Sequence, residues 1–227
     1  TAGAPTANTP SFTNLAGDKF IIVWNQTCQT TPPITPDVCF GNPLVTPPGY
    51  TLQYGTTGND TVTLAPNTMF VGKSGNDKVS GGIGNYIICT GSGSDIITLG
   101  NGDSIIHAGN GNNTITTGDG TGNIVTTTGN DKITVGNGAH TIKAGEGINI
   151  VLTGDGNQSI TTGNGKDTIT TAGGNDTIAA GHGNNIVKAG NGDDSITAGT
   201  GNDNIDGGGG TDVCSAGIGT NTVTNCP

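Results

Sequence analysis

The sequence is short of nearly everything from which a layered globular core is built. Of its 227 residues, aromatics make up 4% and all hydrophobic residues 30%, too little apolar surface for two packed layers of ordinary secondary structure. No run approaches the roughly 18 consecutive apolar residues of a membrane-spanning helix, so no membrane insertion is expected. Positive charge is scarce, with 7 Lys and Arg against 17 Asp and Glu, a formal net charge of −10. That balance excludes the basic surface of a nucleic-acid binder and is compatible with binding cations. Five cysteines are present, and none forms a close C-x-x-C pair, which removes the usual zinc framework. His107, His140 and His182 are scattered over different slots, and no Ser/His/Asp or Cys/His set stands out. Neither an enzyme nor a small-molecule substrate is therefore expected.

Glycine, by contrast, is abundant, with 43 residues, although it is the costliest residue to order. Low hydrophobicity with high net charge would ordinarily suggest disorder. Periodicity argues otherwise. From Val79 through Ile88, Ile97, Ile106 and onward to Val223, a β-branched residue or Cys214 falls at every ninth position. Two residues before it lies a slot held by Asp77, Asp95, Asp131, Asp167, Asp176, Asp194, Asp203, Asp212 or a substitute, and Gly-x-Gly precedes that slot. The unit reads G-x-G-x-[DN]-x-[IV]-x-[TA]. Each unit combines a glycine turn with a short strand, the Ile or Val pointing inward and its neighbours outward. One unit cannot bury its single Ile, whereas stacked units share a thin continuous core. Gly-x-Gly with no following helix does not make a phosphate loop. The chain divides into an irregular Pro/Thr-rich segment, 1–56, and a repeat region, 57–227.

These nonapeptides resemble the RTX (repeats-in-toxin) family. The resemblance implies an all-β fold, a right-handed parallel β-roll in which two nonapeptides make one 18-residue turn, here about eight and a half turns. It also implies Ca2+ between the loops of successive turns, held by Asp carboxylates and loop carbonyls. Residues 18 apart should then be neighbours. One column reads Asp77, Asp95, Asn113, Asp131, Asn149, Asp167, Asn185, Asp203, Asn221, all Asp or Asn. The other reads Tyr86, Ser104, Gly122, His140, Gln158, Asp176, Asp194, Asp212. Because the two sort differently, the 18-residue turn is supported by the sequence itself. Asp60 fits the same slot upstream. The strongest sites are expected between Asp77 and Asp95, Asp176 and Asp194, and Asp194 and Asp212. Mixed Asp/Asn sites are expected along the first column and little metal from Tyr86 to Gln158. Asp119 and Asp155 occupy a different slot and are assigned to hydrogen bonds.

Outside the repeat, Phe20-Ile21-Ile22-Val23-Trp24 belongs to the most apolar run in the chain. It reads as a buried strand, either a cap on the roll or a strand donated to a neighbouring subunit. Cys28 and Cys39 bracket a Pro-rich loop and are expected to pair. Cys214 and Cys226 would staple the last turn, leaving Cys89 as an odd thiol open to an interchain bond or a link to the N-terminal region. Outward Ile87, Ile96, Ile105, Ile150 and Ile186, with Leu152, suggest a contact stripe. The cysteines, and a start at TAGAPTANTP that looks like a processed terminus, point to a secreted protein. The expectation is a calcium-binding structural protein that self-assembles as a homo-oligomer into a filament, matrix or surface layer. The alternatives are a monomeric adhesin or ice-binding module, or the RTX module of a larger exoprotein.

Overall fold

A computed structural model describes residues 45–226, together with the backbone of four two-residue strand segments before them. Of those segments, Phe12–Thr13 pairs antiparallel with Lys19–Phe20, and Val38–Cys39 with Asn42–Pro43. The run Ile21, Ile22, Val23 and Trp24, the side chain of Phe20 and the Cys28–Cys39 pairing lie outside the described residues.

From Thr51 onward the described residues contain strands and turns and no helix. They form a parallel β-solenoid of about ten turns, with two ten-stranded sheets enclosing one core. The first sheet begins with Thr61–Leu64 and Lys78–Gly81 and takes every second strand as far as Thr222–Thr224. The second begins with Thr51–Tyr54 and Thr68–Val71 and runs to Val213–Ser215. Ile97 lies beside Val79 and Ile115, and Ile106 beside Ile88 and Ile124, so each full turn advances 18 residues.

Ten strands per sheet exceed the eight and a half turns counted from the repeat. The surplus comes from strands whose turns have lost the Gly-x-Gly signature but whose side chains still alternate. Thr51–Tyr54 pairs with Thr68–Val71, which pairs with Tyr86–Cys89. Phe70 takes the core slot beside Ile88 and is fully buried, while its neighbour Met69 joins a small cluster on the outer face with Ile87 and Cys89. The pairings Thr51 with Thr68 and Thr61 with Lys78 make these first turns one residue shorter than the others.

The core is two facing rows, Val79 to Ile205 from one sheet and Phe70 to Ile196 from the other, every member at most 1% exposed. Burial of one Ile contributes roughly 1.5–3 kcal/mol, and a turn supplies only two such residues. Backbone pairing and polar ties must therefore carry much of the fold. The outward isoleucines do not form one stripe. Ile96, Ile150 and Ile186 lie on the first sheet, where Thr114 and Lys132 separate Ile96 from Ile150. Ile87 and Ile105 lie on the second, and Ile87 is buried against Met69 and Cys89.

Turns stack so closely that a side chain has no place at their apex. At Gly183, φ is 128° and a Cβ would fall on the carbonyl oxygen of Gly165 in the preceding turn. Gly82 has no such neighbour and no left-handed φ. Gly183→Ala is expected to cost roughly 1–3 kcal/mol in chemical denaturation, whereas Gly82→Ala stays within about 0.5 kcal/mol of the parent. Equal losses would contradict this account of the turns.

Candidate metal centre

The slot two residues before each core Ile turns inward beneath the turn, because strand side chains alternate and the Ile two positions on faces the core. Its occupants are almost completely buried: Asp77, Asp95, Asn113, Asp131, Asn149, Asp167, Asn185 and Asp203 in the first column, and Asp176, Asp194 and Asp212 in the second, are at most 3% exposed. Asn221, in the last turn, is partly exposed.

One oxygen of each slot side chain is already committed. The Asp77 amide N–H donates to Asp95 Oδ1 at 2.8 Å, the Asp95 amide to Asn113 Oδ1 at 3.0 Å, and the Asn113 amide to Asp131 Oδ1 at 2.8 Å. The series continues without a gap to Asn221 Oδ1, which accepts from the Asp203 amide at 2.8 Å. In the second column, Gln158, Asp176 and Asp194 donate in turn to Asp176, Asp194 and Asp212. All three expected Asp–Asp stacks are thus neighbours across a turn. Asp60 differs, because its carboxylate accepts from the amide and hydroxyl of Thr56 in its own turn.

The second oxygen is the chemically decisive atom. Oδ2 of Asp77, Asp95, Asp131, Asp167, Asp176, Asp194, Asp203 and Asp212 is buried and accepts no hydrogen bond. A carboxylate oxygen taken from water without a partner is costly. Burial raises Asp95, Asp131, Asp167 and Asp176 above the usual carboxylate range, with hydrogen bonds pulling back. Thr90, Thr126, Thr162 and Thr171 stand near those carboxylates, yet their hydroxyl protons are committed to the carbonyls of Ala108, Ala144, Ala180 and Ala189. Asp77 and Asp194 are pushed up to about 6, by burial first and also by adjoining carboxylates, Asp95 and Asp60 for the former, Asp176, Asp212 and Asp193 for the latter. A hydrogen bond donated by a backbone amide to each carboxylate, from Asp60 and Asp176 respectively, offsets part of the rise.

Buried, partnerless carboxylate oxygens among stacked turn carbonyls form a set of hard oxygen donors, which fits a hard divalent cation such as Ca2+. No three His, Cys, Asp or Glu residues gather at one point among the described residues, so backbone carbonyls would have to complete any coordination shell. A bound cation would neutralise the carboxylates and satisfy their second oxygens. The second column from Tyr86 to Gln158 carries no carboxylate: the Tyr86 hydroxyl donates to Gly82 O at 3.2 Å, and Gln158 Oε1 accepts from the His140 amide at 3.0 Å.

A second ladder escaped the sequence reading. Asn76, Asn112, Asn130 and Asn202, each immediately before a slot residue, accept from the amides of Ser94, Asn130, Ile148 and Thr220 at 2.7–2.8 Å. These outer bonds run from a later amide to an earlier side chain, opposite in sense to the inner ladder. The recurrent Asn-Asp and Asn-Asn dipeptides were its signal. Asp119 belongs to a similar tie, accepting from the Asn137 amide at 2.8 Å.

Cys214 and Cys226 are disulfide-bonded across the last turn. Cys89 is disulfide-bonded as well, which agrees with its reading as a cysteine open to a further bond.

Fold and site together define a parallel β-solenoid with cation-seeking turns. The RTX calcium-binding nonapeptide repeat, in a four-copy family profile, matches residues 67–97, 90–124, 117–151, 152–187 and 188–223, and the chain belongs to that family. RTX repeats bind Ca2+ in the β-roll and form a structural rather than a typically catalytic module. Comparison with curated proteins and with solved structures gives no match.

The raised carboxyls set a pH dependence. Without metal, Asp77 and Asp194 bind protons more readily folded, at about 6, than unfolded, at 3.8. Protonation then favours the fold, and that stabilisation is lost as pH rises from about 4 through about 6. Calcium needs the ionised form, so its contribution runs the other way. Lowering the pH from about 7 to about 5 is expected to raise the melting temperature of the metal-free chain and to shrink the increment calcium adds, both followed by circular dichroism. An increment that does not change with pH contradicts the assignment.

Proposed function

We propose that the chain is a secreted, calcium-stabilised structural protein whose rolls assemble into an extracellular filament, matrix or surface layer. The observation that carries the calcium reading is the set of buried Oδ2 atoms without a partner, recurring along the roll. Ion binding to the folded form alone shifts the equilibrium toward folding, which offsets the conformational entropy of so many glycines. Secretion is supported by the family, whose repeats occur in secreted proteins, and by the disulfide chemistry at Cys214–Cys226 and Cys89. No helix among the described residues is long and apolar enough to cross a membrane.

Assembly is supported by the edge of the roll. Among the described residues Thr222–Thr224 pairs on one side only, with Asn204–Asp206. Val223, in the core slot, is 43% exposed there. An uncovered strand edge accepts an added strand, and Phe20-Ile21-Ile22-Val23-Trp24 of a second copy is the donor in this reading.

Electron microscopy and sedimentation of the full chain in calcium are expected to show ordered assemblies. Deletion of residues 1–24 is expected to leave single rolls. Assemblies that survive the deletion overturn strand donation, and a monodisperse single chain at high calcium and high concentration favours a monomeric binding module.

A further inference from the structure

The first column does more than vary between Asp and Asn. From Asp95 it alternates strictly, with Asp95, Asp131, Asp167 and Asp203 interleaved by Asn113, Asn149, Asn185 and Asn221. All eight spend Oδ1 on the same bond, so they differ only in the second atom of the side chain. In aspartate that atom is a partnerless oxygen. In asparagine it is an NH2 group that donates to the loop's own carbonyls. Asn149 Nδ2 donates to Gly145 O at 3.1 Å and Gly147 O at 3.3 Å; Asn113 Nδ2 donates to Gly111 O at 3.0 Å. Asn185 Nδ2 reaches Gly181 O and Gly183 O, both at 3.4 Å, and Asn221 Nδ2 reaches Ala216 O at 3.0 Å and Gly217 O at 3.4 Å.

From Asn113 onward the backbone alternates in step, although Gly91, four residues before Asp95, is left-handed as well, with φ of 94°. Four residues before each asparagine, Gly109, Gly145, Gly181 and Gly217 are left-handed, with φ of 69°, 65°, 65° and 67°. The equivalent Thr127, Gly163 and Gly199, before Asp131, Asp167 and Asp203, do not adopt a positive φ. The residue five before the slot alternates too from Asp95 to Asn185, although Ala198 precedes Asp203. Thr90, Thr126 and Thr162 precede aspartates, and Ala108, Ala144 and Ala180 precede asparagines. Each of these threonines bonds the carbonyl of the alanine one turn on, which couples an aspartate turn to the asparagine turn after it. Between Asn113 and Asn185 the first column is therefore built of two loop types in a two-turn repeat.

We propose that the side-chain amides of Asn113, Asn149, Asn185 and Asn221 stand in for a cation, so that in this column calcium enters only the aspartate loops. This rests on the calcium reading above. Protonated nitrogen and cation do the same electrostatic task, drawing together oxygens that would otherwise face one another unpaired. The amide does it permanently and without charge, leaving no vacancy for an ion. Alternation also doubles the distance between neighbouring ions in the column, from about 4.8 Å to about 9.6 Å, and so weakens their mutual repulsion. Gln158 does likewise in the second column, Nε2 donating to Gly138 O at 2.9 Å and Gly154 O at 3.4 Å. The asparagines thus become structural replacements for the ion rather than its ligands.

The test counts ions on the full chain by equilibrium dialysis against radioactive calcium, with circular dichroism as the check on folding. Asn149→Asp is expected to add one ion per chain and to lower the melting temperature in chelator. Asn149→Ala is expected to leave the ion count unchanged. An unchanged count for Asn149→Asp, or the loss of an ion in Asn149→Ala, overturns the proposal while leaving calcium binding intact. A parent chain that takes up no calcium overturns instead the reading on which it rests. Should the variants fail to fold, the parent crystallised in calcium decides the matter by anomalous scattering. Ions in the loops of Asp131 and Asp167 with none in that of Asn149 uphold the proposal, and an ion in the Asn149 loop overturns it.

Discussion

Each turn of this roll is tied to the one before it by a side-chain oxygen that reaches back to a backbone amide, as Asp95 Oδ1 does to the Asp77 N–H. The bond is short, buried and repeated along the whole first column. It fixes where the rest of the side chain must lie, because once one carboxylate oxygen is engaged the other is carried under the turn, away from water. A carboxylate so placed has a deficit that neither protein nor solvent fills. The metal chemistry of the protein follows from that geometry more directly than from its total of acidic residues.

The same constraint explains how a chain with so little apolar matter holds a shape. Two core residues per turn are shielded completely, yet they are few. Inner ties such as Asp176 N–H to Asp194 Oδ1 and outer ties such as Ser94 N–H to Asn76 Oδ1 run in opposite senses across each interface. A solenoid held by contacts between neighbours alone distributes its stability along its length. Glycine at the apex, as at Gly183, is what lets those turns approach closely enough for both ladders to form.

Asparagine and aspartate are nearly the same shape, and in the slots of the first column they make the same first bond. Their difference lies in whether the second atom gives or takes a proton. An alternating column balances turns that are complete in themselves against turns that call for an ion. Stability that is always present thus lies beside stability that depends on the surroundings, one turn apart, as with Asn149 and Asp167.

The nonapeptide period, the 18-residue step, the inward Ile rows and the aspartate slots were all legible in the sequence, because in a translational repeat a residue's surroundings are set by its position modulo the period. What broke the period was not legible. The strand Thr51–Tyr54 continues the roll without the turn signature, since pairing to an existing edge needs only alternation. The outward isoleucines divide between two sheets, and Cys89, whose state the spacing left open, is disulfide-bonded. Nor could composition reveal which oxygen of Asp95 is spent, or that the Asn149 amide folds back on its own loop. The sequence by itself determined the lattice on which side chains repeat. Only the tertiary structure decided which atoms of those side chains meet, because a hydrogen bond depends on loop dihedrals and on the neighbouring turn, neither of which is written in any one unit.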